Sequence, residues 1–137
     1  MSDFVYLCID PGSDESGFVV CTKDKIIEFG KESNKTIRQK TGFQEVIIEY
    51  PDSVHGRVGH SVLKTCFEIG RFYESFKNKM IHLIGRKEAL SFFKLKNDTD
   101  VRKYLSDKNI KLVKDSWQAY FVFEYYKQKN EHFSNVS

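Results

Sequence analysis

No apolar run in the chain approaches the ~20 residues that a membrane span needs, so no membrane association is expected. The opening residues, MSDFVYLC, have neither a basic segment nor a small-residue cleavage site, which argues against secretion. Cysteine is scarce. Cys8, Cys21 and Cys66 are an odd count without Cys-x-x-Cys spacing, so neither a disulfide framework nor a thiolate zinc site is indicated. Cys8 and Cys21 fall in apolar runs and read as buried free thiols, in keeping with a reducing cytoplasm. The histidines His55, His60, His82 and His132 are scattered; His55 or His60 is a conceivable proton donor, but surface or core roles are the better expectation. Internal repeats and low-complexity segments are missing as well.

What is present is an ordinary globular composition. The chain has 137 residues, 40% hydrophobic and 15% aromatic, which is enough for one domain over residues 1–137 with a single core. The net charge of +3 is unevenly spread. Residues 1–56 hold 6 basic and 10 acidic groups, and residues 57–137 hold 16 basic and 9 acidic groups. An acidic part beside a basic remainder suits a metal site next to a polyanion, although solvated lysine-rich helix faces produce the same count.

The stretch Phe4 to Val20, FVYLCIDPGSDESGFVV, organises the rest. Its first six residues form a continuous apolar run, as in a strand buried on both faces, and Asp10 closes it. Pro11-Gly12-Ser13 turns the chain and Gly17 to Val20 returns it as a hairpin partner. Buried carboxylates are costly unless donors or a cation meet them; the plainer reading of Asp10 is a turn cap before Pro11. Lys25 to Gly30 alternates as a third strand, and Lys31 to Lys40 is a loop or a short helix. Gln44 to Pro51 is a further β-branched strand that again ends in an acid, Glu49.

Gly59 to Lys79 has helical periodicity, with Val62, Cys66, Ile69, Tyr73 and Phe76 as the expected buried stripe. Leu63, Phe67 and Gly70 are expected to widen it, with Gly70 admitting a close neighbour. Arg57, Lys64 and Arg71 recur every seven residues and share a basic flank. Met80 to Ile84 reads as a short strand and Arg86 to Phe93 as a helix. Asp98 or Thr99 is expected to cap a helix over Val101 to Leu105. Asp115 opens a last helix, Trp117 to Lys127, either as a plain N-cap or as a functional acid, and the polar tail from about residue 128 is expected to fray.

Asp10, Glu49 and Asp115 thus recur at strand ends and a helix start, the places where ligands gather in α/β sheets. Carboxylates without His or Cys partners call for a hard cation such as Mg²⁺ or Mn²⁺. Two such ions, ~3.5–4 Å apart, can activate water and hold the leaving oxygen of a phosphodiester.

CIDPGSDESGFVV resembles the first motif of RuvC-type Holliday-junction resolvases, members of the ribonuclease-H-like superfamily. VIIEYP resembles their second motif and KDSWQAYFVF their last, while GHSVLKTCFEIGRFYESF is similar to the helix after the second motif in short phage-type members. The resemblance spans residues 4 to 126. It implies a mixed sheet, an antiparallel hairpin plus parallel strands, with helices on both faces. It also implies Mg²⁺-dependent nicking of branched DNA by a homodimer, in a cytoplasmic protein of viral or bacterial origin. Asp10, Glu49 and Asp115 match the catalytic, metal-binding acids. Gln118 stands where the family has its second acid on the last helix, and its amide oxygen remains a weak ligand. Arg57, Lys64, Arg71, Arg86, Lys87 and Lys114 are the expected DNA-binding cations, and Tyr50 is a candidate base-stacking ring.

Three rival readings stand beside this one. Gln118 is compatible with a catalytically weakened protein that binds branched DNA without cutting it. Cleavage of flaps or RNA is a second possibility. An actin-like phosphate binder is a third, though that class needs two such lobes and 137 residues supply one.

Overall fold

The apolar run near the N-terminus lies at the middle of a five-stranded sheet. The computed structural model of the chain describes residues 4–51, 59–110, 112 and 116–136, with side chains up to 131. In it β1 (Tyr6–Asp10) pairs on one side with antiparallel β2 (Glu15–Cys21) and on the other with parallel β4 (Glu45–Tyr50). Outside these lie β3 (Ile26–Ser33), antiparallel to β2, and β5 (Met80–Gly85), parallel to β4. The order β3-β2-β1-β4-β5 leaves β1 and β4 protected on both sides. Leu7, Cys8, Ile9, Val46, Ile47 and Ile48 are accordingly fully buried, which explains why both segments are apolar at every position rather than at alternate ones.

Alternation along the strands sorts these residues into two layers. Leu7, Ile9, Phe18, Val46 and Ile48 pack with Ile37, Phe43, Phe72 and Phe76, under α1 (Asn34–Arg38) and α2 (His60–Ser75). Tyr6, Cys8, Val19, Cys21 and Ile47 pack on the opposite face with Phe121 and Phe123. That face is covered by α3 (Arg86–Phe92), α4 (Asp98–Asp107) and α5 (Trp117–Val136). The expected mixed sheet with helices on both faces is what forms.

Four local expectations are corrected. The segment read as loop or short helix from Lys31 divides: β3 runs on to Ser33, whose hydroxyl caps α1 by accepting from Thr36 N. Of the stripe expected along α2, Phe76 at the C-cap is buried and Val62 and Ile69 are half-buried, whereas Cys66 and Tyr73 are exposed, as are Leu63, Phe67 and Gly70; Glu68 and Phe72 are buried instead. Packing turns the buried face toward Phe72, and Phe76 stands edge-on to Phe43, 5.3 Å between centroids. Glu68 joins that face because Arg38 of α1 meets it at 3.0 Å. Helix α4 starts at Asp98 with Asn97 as its cap, Asn97 Oδ1 accepting from Asp100 N at 2.9 Å. Finally, α5 continues through the polar tail to Val136 instead of ending near Lys127.

The inner face of α5 carries one buried acid. Glu124 accepts hydrogen bonds from Lys108 Nζ at 3.0 Å and Gln128 Nε2 at 2.9 Å, with Lys127 Nζ 3.5 Å away. Burial pushes its carboxyl upward, but Gln128, Lys108 and Lys127 outweigh that and hold it below the ordinary 4.5. Because the folded value lies below the unfolded one, the interaction stabilises at neutral pH and fades as pH falls through and below 4.5. Glu124→Gln is expected to lower the unfolding free energy by about 2 kcal/mol at neutral pH. In urea titrations the difference from wild type should shrink in acid; a difference that stays constant would contradict the assignment.

Candidate active site at the strand ends

Parallel pairing aligns Ile9 with Ile48, so the next residues, Asp10 and Glu49, come out side by side at the ends of the two central strands. Cys8 and Ile47, two positions earlier, face the α5 layer, and alternation points Asp10 and Glu49 to that same face. Glu49 is buried and Asp10 half-buried. Helix α5 begins on this face of the sheet, over β3. Ser116 Oγ donates to Gly30 O at 3.1 Å, and Gly30 lies in the row Gly30–Phe18–Ile9–Ile48 that crosses the sheet one residue short of both acids. Trp117 Nε1 donates to Leu112 O at 2.7 Å, and the Arg102 guanidinium lies 4.6 Å over the Trp117 ring. Gln118 therefore enters on the first turn of α5. Asp115 and Lys114 lie outside the described residues.

Among the described residues the donors at this end are oxygens, with no imidazole or thiolate beside them, which fits Mg²⁺ or Mn²⁺ rather than zinc. Gln118 Oε1 adds a buried acceptor that no described group satisfies. Among the described residues no three His, Cys, Asp or Glu side chains come close enough together to hold a metal ion; two of the three expected acids are placed side by side.

The turn that follows Asp10 is held by contacts that no local pattern announces. Ser16 Oγ accepts from Gly12 N at 3.0 Å and donates to Asn34 Oδ1 at 2.5 Å. Asn34 Nδ2 donates to Gly12 O at 3.0 Å and Asn34 N to Asp14 O at 2.9 Å. Asn34 is 2% exposed and thus bridges both sides of the turn from the start of α1. Gly12 is required sterically: a Cβ there would lie 2.2 Å from Glu15 O.

Cations gather at the same end. Lys64, on the first turns of α2, donates to Asp14 Oδ1 at 2.7 Å and holds that carboxyl below its ordinary value. Arg86 and Lys87 open α3 directly after Gly85, which pairs with Tyr50, the exposed neighbour of Glu49. Arg86 is paired with Asp98, which also accepts from Gln118 Nε2 at 2.5 Å. Arg71 lies about 10 Å farther along α2 from Lys64 and sits 3.7 Å from Glu68. His60 is exposed at the start of α2, while Arg57 and His55 fall outside the described residues.

A second polar cluster occupies the opposite end of the sheet. Glu45, at the start of β4, lies 2.9 Å from His82 Nε2 and accepts from Tyr126 OH at 3.1 Å. Burial and the Glu45 charge push the Tyr6 phenol up to about 12. A cleft of about 450 Å³ opens there between β5, α3 and α5. Four strand residues, roughly 13 Å, separate Glu45 from Glu49. This cleft is not part of the acid site.

Asn34→Ala is expected to cost about 3 kcal/mol in urea unfolding, since it leaves several polar groups of the turn unpaired. Gly12→Ala should lower the melting temperature as well, because backbone rather than a flexible side chain opposes the new methyl group. A neutral Asn34→Ala would show that the turn holds itself.

No family model and no curated protein sequence matches the chain. Solved structures do. A structure described as T. thermophilus RuvC in complex with Holliday junction substrate superimposes with a TM-score of 0.62 at 15% identity, covering 92% of this chain and 96% of that one. A Thermus thermophilus RuvC structure gives 0.66 at 14% identity, covering 93% and 97%. At that identity the likeness concerns architecture: a five-stranded mixed sheet with helices on both faces, the ribonuclease-H-like fold in its RuvC form.

Proposed function

We propose that the chain is a divalent-metal-dependent endonuclease that nicks branched DNA, with the four-way junction as its preferred substrate. The observation that carries this reading is the side-by-side emergence of Asp10 and Glu49 from adjacent parallel strands, on the face where α5 begins. Asp10, Glu49 and Asp115, with the Gln118 oxygen, would hold the cation. Bound there, Mg²⁺ or Mn²⁺ would lower the pKa of a water nucleophile and stabilise the leaving oxygen of a phosphodiester, a task usually shared by two ions. The Asn34–Ser16 bridge keeps the turn behind Asp10 in one shape. Lys64, Arg86 and Lys87 stand around the same strand ends, where they would neutralise phosphates and position the strand, with Arg57, Arg71 and Lys114 as further contacts. A RuvC structure of the same architecture holds Holliday junction substrate, which supports a branched partner for this chain.

Symmetric nicking of a four-way junction needs two active sites, hence a twofold dimer. Helix α2 offers a surface for one: Leu63, Phe67 and Tyr73 are 51%, 76% and 51% exposed, and a Cβ on Gly70 would meet nothing within 4 Å. The alternative, a binder of branched DNA that does not cut, is favoured by one feature only, the neutral side chain at Gln118.

The deciding experiment compares a labelled four-way junction, a flap and a linear duplex, with Mg²⁺ or EDTA, for wild type and Asp10→Asn. Paired nicks on the junction are expected, and both EDTA and Asp10→Asn should abolish them. Tight junction binding without cleavage in Mg²⁺ or Mn²⁺ would replace the nuclease by the binder. In sedimentation, wild type is expected as a dimer and Phe67→Glu as a monomer; an unchanged mass would move the interface elsewhere.

A further inference from the structure

Gln118 is anchored at one end only. Its Nε2 donates to Asp98 Oδ1 at 2.5 Å, while its Oε1 is buried and meets no hydrogen-bond donor among the described residues. Asp98 comes from the first turn of α4, a position opened by the capping choice. Asn97, not Asp98, caps that helix, so the Asp98 carboxylate is spared for a tertiary contact. Arg86, at the start of α3, pairs with the same Asp98 oxygen.

Three consequences follow from elementary chemistry. An ionised carboxylate only accepts, so the amide nitrogen of Gln118 must face it, and the amide cannot be turned over without losing the bond. The carbonyl oxygen is thereby left as the acceptor end, in a place where an unmet buried acceptor is costly. An N–H bound to an anion also pushes electron density toward its carbonyl oxygen, which makes that oxygen a better ligand, just as a carboxylate behind a ligating histidine does.

We infer that Asp98 is a positioning residue. It orients and polarises the Gln118 amide so that Oε1 serves as an oxygen ligand for the divalent cation of the Asp10–Glu49 site. The inference rests on the metal-site reading above. Asp98 itself does not join Asp10 and Glu49 as a third ligand; among the described residues no such trio gathers, and Arg86 occupies it instead. The two positions are linked in type. An acid at position 118 would set two carboxylates at hydrogen-bond distance, whereas the amide turns the same approach into a bond.

Mn²⁺ titration of the full chain tests this, with free Mn²⁺ followed by electron paramagnetic resonance and thermal melts run alongside. Asp98→Asn is expected to weaken the less tightly bound Mn²⁺ by about 10–100-fold. Gln118→Met, which keeps the volume and removes the oxygen, should do the same, and combining the two should be no worse than either alone. Asp98→Asn with Gln118→Asp should restore the affinity, because a carboxylate ligand needs no orienting partner. If Asp98→Asn lowers only the melting temperature and leaves Mn²⁺ affinity unchanged while Asp10→Asn abolishes binding, Asp98 merely ties α4 to α5; the inference falls and the metal site stands. Wild type that binds no Mn²⁺, or binds it regardless of Asp10→Asn, overturns the metal-site reading and this inference together.

Discussion

The parallel pairing of β1 with β4 is the constraint on which the rest of the structure depends. It aligns Ile9 with Ile48, and the alignment alone decides that Asp10 and Glu49 leave the sheet as neighbours and on one face. A slip of one residue would send one acid into the α2 layer, among Leu7, Ile9 and Phe72, where a carboxylate would be buried without partners. Register is therefore protected by the hydrophobic pattern of both faces at once. β1 and β4 can be apolar throughout because α1 and α2 cover one side and α3, α4 and α5 the other.

From the same constraint follows the placing of α5. The acids face its layer, so the side chains that complete their surroundings must come from the end of the helix lying over the strand termini. That end is pinned to the sheet by Ser116 on Gly30 and to its own approach by Trp117 on Leu112. The buried run Ala119 to Phe123 then packs against Tyr6, Cys8 and Ile47. Site geometry and core packing are thus one arrangement.

Features encoded by unbroken apolar runs were legible in the sequence: the two central strands, their terminal acids and the hairpin, while periodicity and capping residues announced the helices after β4. Choices between two similar surfaces were not. Helix α2 carries apolar residues on two flanks, and only packing against Phe43 and the Arg38–Glu68 pair selects the buried one. At the start of α4, Asn97, Asp98 and Thr99 are all acceptable caps, and the difference of one residue decides whether Asp98 is spent on its own helix. Asn34 gave no local signal, since its partners in the Asp10 turn are 18 and 22 residues away. In α5 the polar tail beyond Lys127 lacks apolar periodicity, yet the helix already nucleated on the core carries on through it.

Gln118 shows why a departure from a familiar pattern is best weighed with its neighbours. Taken alone, replacing an acid by an amide removes a charge and predicts a weaker cation site. In the fold the amide nitrogen meets Asp98, so a carboxylate is still present, one bond removed and delivered from another helix. Arg86, paired with Asp98, balances that charge and ties the pair to the end of β5. The local charge is distributed over three elements instead of being concentrated on α5. Such an arrangement would make the proposed cation site depend on the docking of α4 in a way that a direct acid at position 118 would not.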